Sequence, residues 1–294
     1  MKSLLYFCLG MVYLFLAKAK NMLRGYATPK AFDLDETHRC VDYDLAVVDD
    51  WLAHLARYTG RTDTIFGRRV LELGPGSDLG GGLYLLAQGA AQYTGIDVNP
   101  LAERAPAVFY EALFTRLASR FSDEVLSPVR RAWSGHQSGQ GEALRYVVRA
   151  DFDILAALGP STVDLSFSQS AFECFDDFEE SIRQLTAVSA PGALALHQID
   201  LKTHSRWICD QDPNNIYRYP DALYRLFAYR GMPNRVRPAE FKAAFERAGW
   251  VDVVVYPRNT HPDPAQAAAG LLARYRRPEA EMQVLSMVLC ARKP

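Results

Sequence analysis

The sequence predicts an α/β fold built on a mostly parallel sheet with helices on both faces. Two observations carry that prediction. Short apolar, β-rich runs alternate with longer helical stretches over most of the 294 residues, which is the rhythm of strand–helix–strand units. The first run also turns through glycines directly into a helix, at the place where open sheets of this kind take their ligands. Composition agrees: 49% apolar and 23% charged residues exclude a disordered tail, a collagen-like repeat and a long coiled coil. Thirty-three basic against 34 acidic residues leave a net charge of −1, so no global field draws the chain to nucleic acid. The 5 cysteines are odd in number and form no CxxC pair. They encode neither a disulfide framework nor a zinc ribbon, and they fit a reducing compartment.

Taken in order, the first element is apolar. Ser3 to Ala17 holds no charge, with Lys2 before it and Lys18, Lys20 and Arg24 after it. As a helix this stretch is about 22 Å long at ~1.5 Å per residue, short against a hydrocarbon core of about 30 Å. Residues 1–25 are therefore expected to form a helix that lies on a membrane surface, chiefly through residues 3–17, or docks on the domain. A short anchor and a cleaved signal are the alternatives. Were it to span, the positive charges beyond it would keep the rest of the chain in the cytosol. Residues 26–65 read as a helical extension, because Leu45, Val48, Trp51, Leu52 and Leu55 recur at helical spacing.

Residues 66–294 form the main domain. Strands are predicted at 69–73, 92–97, 144–149, 163–168, 193–200, 250–256 and 283–291, with helices at 81–86, 178–188 and 238–248 among the segments between them. A loop with Pro262 and Pro264, then a helix near 266–276, breaks the rhythm before the last strand, which is expected to return as an antiparallel edge. Two long connections, 101–143 and 201–249, are expected to carry substrate or oligomer contacts.

The sharpest signal is the run Arg69-Val70-Leu71-Glu72-Leu73-Gly74-Pro75-Gly76-Ser77-Asp78-Leu79-Gly80-Gly81-Gly82. Glycines there let backbone approach a ligand, and the helix start offers free N–H groups. A dinucleotide reading fails at the sixth position of GxGxxG, where Leu79 would obstruct close helix–strand packing, and Pro75 removes an N–H inside the turn. Glu72 would repel bound phosphates but suits a ligand carrying an ammonium, such as S-adenosylmethionine. At the end of the second strand Asp97 can accept both ribose hydroxyl hydrogens. After the third, Asp151 can accept from an adenine amino group, with Phe152 beside it.

These residues together resemble the class I, Rossmann-like S-adenosylmethionine-dependent methyltransferases, over roughly Phe66 to Ala291. The resemblance implies seven strands with the last antiparallel and S-adenosylmethionine as cofactor. It also implies that Glu72, Gly74 and Gly76 hold the methionine end, that Asp97 takes the ribose, and that Asp151 and Phe152 take the adenine. Ser77, Val98 and Ser168 complete the expected cofactor set. One departure stands out: Asp78 occupies the position of the third loop glycine, and Gly80 follows two residues later.

For the methyl acceptor the sequence says less. The segment Ser166 to Asp177 lacks the [DN]-P-P-[FY] turn of many N-methyltransferases, and Glu173-Cys174 stands where many small-molecule enzymes have Glu-His. Strand five ends in His197-Gln198-Ile199-Asp200-Leu201-Lys202-Thr203-His204. A histidine near pKa ~6.5 can take a hydroxyl proton. His197, Asp200 and His204 are therefore the candidate catalytic residues, with His197 preferred as base. Gln169, Trp207, Tyr217, Tyr219 and Arg235 are the candidate acceptor contacts. Serines and Gln169 replace the carboxylate that a divalent-metal O-methyltransferase would have after strand four, so no metal is expected.

The expected activity is O-methylation of a small molecule or a glycan- or lipid-linked intermediate by a cytoplasmic enzyme, at the inner face of the membrane if attached. Methylation of a small amine, an NAD(P)-dependent oxidoreductase and a non-catalytic ligand-binding or scaffold protein of the same fold are the rivals.

Overall fold

A computed structural model describes residues 2–25 and 36–294. Within the expected extension, 26–35 lie outside the described residues. Helix α1 (Lys2–Arg24) and helix α2 (Thr37–Thr59) precede β1 (Arg69–Leu73), α3 (Gly80–Ala87) and β2 (Gln92–Asp97). Next come α4 (Ala107–Ala118), α5 (Asp123–Gln137), β3 (Leu144–Val148), α6 (Ile154–Leu158), β4 (Val163–Gln169) and α7 (Phe178–Val188). The chain continues through β5 (Ser189–Asp200), α8 (Arg206–Cys209), α9 (Asp221–Leu226), α10 (Pro238–Arg247), β6 (Val251–Thr260), α11 (Pro264–Ala267) and β7 (Val284–Arg292).

The seven strands form one sheet in the order β3-β2-β1-β4-β5-β7-β6. β1 runs parallel to β2 and β4, and β2 runs parallel to β3. β7 runs antiparallel to β5. The Gly192 amide donates to Lys293 (3.0 Å) and the Leu201 amide to Leu285 (2.9 Å), so numbers fall along β7 as they rise along β5. The last strand was expected at an edge; it lies instead between β5 and β6. Its residues are buried almost throughout, as an inner strand covered on both faces requires. The helix expected near 266–276 is also corrected. A single turn, α11, ends before Gly270, whose φ of +72° breaks the helix, and a separate 3₁₀ turn follows at Ala273–Arg276.

The chain divides into two compact units. The glycine-loop unit comprises residues 28–169, 183–197 and 290–294. In it, α2 buries Val41, Leu45, Val48, Trp51 and Leu55 along one stripe and ends at Gly60 with φ +72°. The Trp51 ring lies flat on Phe167 of β4, with centroids 4.6 Å apart and planes 7° apart. Its indole N–H donates to Gln169 Oε1 at 3.2 Å, so the ring's one polar group is satisfied in the core.

The tyrosine-rich unit comprises residues 1–27, 170–182 and 198–289. Its core gathers Ile216, Tyr217, Tyr219, Tyr224, Leu271 and Tyr275, with Phe7, Met11 and Leu14 of α1 packed against it. Buried Arg237 is satisfied without a carboxylate: it donates to the carbonyls of Ala280, Glu281 and Val284 at 2.7–2.9 Å and to the Tyr217 hydroxyl at 3.1 Å. Buried Arg218 pairs with Asp212 through two bonds of 2.6 and 3.0 Å. Both charges are thus fully bonded, which is the condition for burying them.

Candidate functional site

The glycine loop forms as its residue types require. Gly74 and Gly76 adopt φ of +74° and +82°, a region costly for any residue with a Cβ. Their turn brings the Gly76 amide to Asp97 Oδ2 (3.2 Å), while the Asn99 amide donates to Asp97 Oδ1 (3.1 Å). Asp78, in the place of the third glycine, starts α3: its Oδ1 accepts from the Gly80 amide at 2.8 Å, and the Ser77 hydroxyl donates to its Oδ2 at 3.1 Å. Gly82 is the position of close packing. A Cβ there would sit 2.5 Å from the Tyr93 ring, and Tyr93 in turn donates its hydroxyl to Glu72 Oε2 at 2.7 Å.

The electrostatics of this loop are unusual. Glu72 is buried, and burial, then the Asp78 and Asp97 charges, push its carboxyl up to about 7 against the lowering hydrogen bond from Tyr93. Burial likewise raises Asp78 and Asp97. Asp44, contributed by α2, was not singled out in the sequence. Burial and then Asp78 push it well above the ordinary carboxylate range, and the two carboxyls share a hydrogen bond in which the protonated Asp44 is the donor. A Cβ on Gly80 would lie 2.2 Å from Asp44 Oδ2, so the displaced glycine is what admits Asp44. Four carboxyls thus converge on one loop at low dielectric.

Farther along the sheet ends, Asp151 is exposed and paired with Arg149 at 2.7 Å, which holds its carboxyl below the usual range. Phe152 follows at φ +52°, a strained value for a residue with a large side chain. Val98 is half-buried beside Asp97. Ser168 lies in the core and bonds to His197 Nδ1 at 2.9 Å, with Ser166 at 3.4 Å from Nε2.

That placement removes His197 from the role of base. It is fully buried, and burial lowers its pKa to about 3, so it stays neutral between two serines. Several acceptor candidates are framework too. Tyr217 donates to the Leu201 carbonyl at 2.8 Å, and the Tyr219 hydroxyl lies 2.7 Å from Asn215 Oδ1. Arg235 donates to the Tyr219 carbonyl at 2.7 Å, pairs with Asp221 and lies over the Tyr224 ring. Their polar atoms are engaged inside the unit, which leaves them little to offer an acceptor. Gln169 accepts from Trp51, and Trp207 is 81% exposed.

The tyrosine-rich unit supplies another pair. His204 Nε2 lies 3.8 Å from Glu173 Oε1. Glu173 is 2% exposed, and neither carboxyl oxygen has a hydrogen bond of ordinary geometry among the described residues. Burial, with Asp200 next, raises Glu173, and burial lowers His204. Asp200 accepts from the Lys202 amide at 2.9 Å and pairs with its ammonium at 3.5 Å. The missing Glu-His pair is therefore rebuilt from two segments. The dipeptide reading could not find it, because the histidine arrives from beyond strand five. Cys174 lies close to both, and its thiol is raised well above the ordinary value by burial.

Seven strands in this order, an antiparallel seventh, and acids at the ends of the first three define the architecture. The fold is that of the class I methyltransferases. Solved structures like it include an S-adenosylmethionine-dependent methyltransferase from Mesorhizobium loti, 17% identical, covering 78% of this chain and 93% of that one at a TM-score of 0.44. Another is a phosphoethanolamine N-methyltransferase from Haemonchus contortus, solved with phosphomonomethylethanolamine and S-adenosylhomocysteine. It is 14% identical and covers 94% of this chain and 56% of that one at a TM-score of 0.45. A carbon methyltransferase, CurJ, is 18% identical over 78% of this chain and 49% of that one, with a TM-score of 0.40. No protein-family model matches the chain, and no curated protein matches it. Relative to the methyltransferase fold, the loop departs at Asp78, and α2 adds Asp44 to it.

Proposed function

We propose that the chain is an S-adenosylmethionine-dependent methyltransferase that acts on an oxygen of a small molecule or of a glycan- or lipid-linked intermediate. The observation that supports it most is the convergence of Asp44, Glu72, Asp78 and Asp97 on the glycine loop. A phosphate there would push these carboxyls further toward their protonated forms, whereas an ammonium favours their ionisation. The nicotinamide reading is opposed on this ground.

When bound, S-adenosylmethionine supplies a methyl group on a positively charged sulfur, already activated for transfer. Holding and orienting it falls to this chain: Glu72 and the loop glycines at the methionine end, Asp97 at the ribose, Asp151 and Phe152 at the adenine. His204 is the proton acceptor in this reading, replacing His197. Desolvation lowers the pKa of its imidazole, which favours the neutral form that can take a proton. A second reading, methylation of an amine, is favoured by Glu173 itself, since an ammonium beside this buried carboxyl would offset the burial that raises it.

Transfer of labelled methyl from S-adenosylmethionine to fractionated glycan, lipid and small-molecule pools tests the reading. Product lability to base separates esters from ethers and amines. His204→Asn is expected to lower kcat about 10²–10⁴-fold with S-adenosylhomocysteine affinity unchanged. Equal turnover by the variant removes His204 from catalysis.

A further inference from the structure

Helix α1 is long and apolar enough to cross a membrane by length and composition, yet one side of it is held by the protein. Asn215 Nδ2 donates to the Tyr6 carbonyl at 2.9 Å, and the Tyr219 hydroxyl lies 3.1 Å from the Phe7 carbonyl. Arg218 Nη1 donates to Ser3 Oγ at 3.2 Å, and Lys18 Nζ donates to the Leu226 carbonyl at 2.7 Å. A Cβ on Gly10 would fall 1.9 Å from Asn215 Oδ1, so a glycine is what lets the helix approach. Ser3 and Lys18 lie about 22 Å apart along the axis at ~1.5 Å per residue. The helix is thus pinned near both ends, and a perpendicular span would break those bonds or carry the Arg218–Asp212 pair into hydrocarbon.

The opposite side is apolar and uncovered. Leu5, Leu9, Val12, Leu16 and Leu23 are 56, 41, 54, 52 and 86% exposed. At 100° per residue they fall within one sector turned roughly 180° from Phe7, Gly10 and Leu14, and exposed Leu4, Phe15 and Met22 widen the apolar face on one side of it. No acidic residue occurs before Asp33, whereas Lys2, Lys18, Lys20 and Arg24 belong to the helix. A soluble protein rarely leaves so continuous an apolar stripe to water.

We propose that α1 is an in-plane membrane-docking helix whose outer stripe enters the interface of an anionic bilayer while its inner face stays on the tyrosine-rich unit. Charge selects this occupant. Basic residues beside an apolar stripe match anionic headgroups over acyl chains. A second copy of the chain would set the Lys2 end of one helix against the Lys18, Lys20 and Arg24 end of the other in an isologous antiparallel pairing, like charge on like. This inference needs no catalytic activity and is independent of the proposed reaction.

The test is flotation of the full-length protein with vesicles of phosphatidylglycerol and phosphatidylcholine, against vesicles of phosphatidylcholine alone. The expected result is at least tenfold tighter binding to the anionic vesicles, weakened by salt. The double variant Leu9→Gln, Leu16→Gln touches only the outer stripe and is expected to lose at least tenfold in binding while keeping the wild-type melting temperature and S-adenosylhomocysteine affinity. Equal flotation of wild type and variant overturns the proposal. So does a wild-type dimer in solution that the double variant dissociates while neither floats. Protection of the N-terminus from protease added outside sealed vesicles indicates a span and likewise overturns it.

Discussion

At the scale of single residues, the cofactor loop behaves as a proton-linked site. Glu72 carries a pKa of about 7 in the free protein, above its ordinary 4.5. A raised carboxyl favours folding below its unfolded pKa and loses that contribution as pH rises through 4.5 to 7. A ligand that places an ammonium beside Glu72 reverses the sign, because the ammonium prefers the ionised carboxyl. Affinity for S-adenosylhomocysteine is therefore expected to rise between pH 5.5 and 7, by up to about tenfold per unit, and Glu72→Gln is expected to flatten that slope. Calorimetry at three pH values checks it. The two histidines divide differently. His197→Asn disturbs a buried pair of hydrogen bonds to Ser166 and Ser168 and is expected to cost about 1–3 kcal/mol of stability, read as a lower urea midpoint. His204→Asn is expected to act on kcat. Glu72, Asp97 and Asp151 could be singled out in the sequence because each lies at or near a strand end in a linear motif. Asp44 was not, because its role arises only when α2 packs over the loop. Tyr217, Tyr219 and Arg235 share their residue types with sugar-binding sites, and composition cannot tell outward hydrogen bonds from inward ones.

At the scale of elements, the packing of α3 on β2 depends on Gly82. Gly82→Ala forces the Tyr93 ring away from a Cβ that would sit 2.5 Å from it, and so moves the hydroxyl that positions Glu72. The expected cost is about 1–3 kcal/mol, with a weaker S-adenosylhomocysteine affinity beyond what stability explains. Trp51→Ala removes the ring stacked on Phe167 and is expected to cost about 3–5 kcal/mol by thermal or urea unfolding. Strands β1 and β2 and helix α7 matched their expected bounds residue for residue, because apolar period and flanking turn residues coincide there. The position of β7 inside the sheet was not legible: antiparallel insertion between two strands is a non-local pairing that no local pattern records. The helix near 266–276 fails for the opposite reason, a single local glycine at φ +72°.

For the molecule as a whole, the fold was read from sequence, and the structure brings Glu72, Gly74, Gly76 and Asp97 together on one loop as expected, whereas the Glu173–His204 pair was not foreseen. The difference is physical. The acids proposed to hold the cofactor follow one another near successive strand ends, while the Glu173–His204 pair joins segments thirty-one residues apart through tertiary structure. Ligand linkage supplies a global test. S-Adenosylhomocysteine at 100 times its Kd is expected to stabilise the fold by about 2.7 kcal/mol, and by more at pH 8 than at pH 5.5 at one fixed concentration, because the affinity rises. The central claim is that the buried carboxyls of the glycine loop select a nucleoside ligand that carries an ammonium and no phosphate. Titration calorimetry of the intact chain with S-adenosylhomocysteine, NAD and NADP tests it most directly. Binding of S-adenosylhomocysteine alone, weakened at least tenfold by Asp97→Asn, is the expected result; binding of NAD or NADP with none of S-adenosylhomocysteine would contradict it.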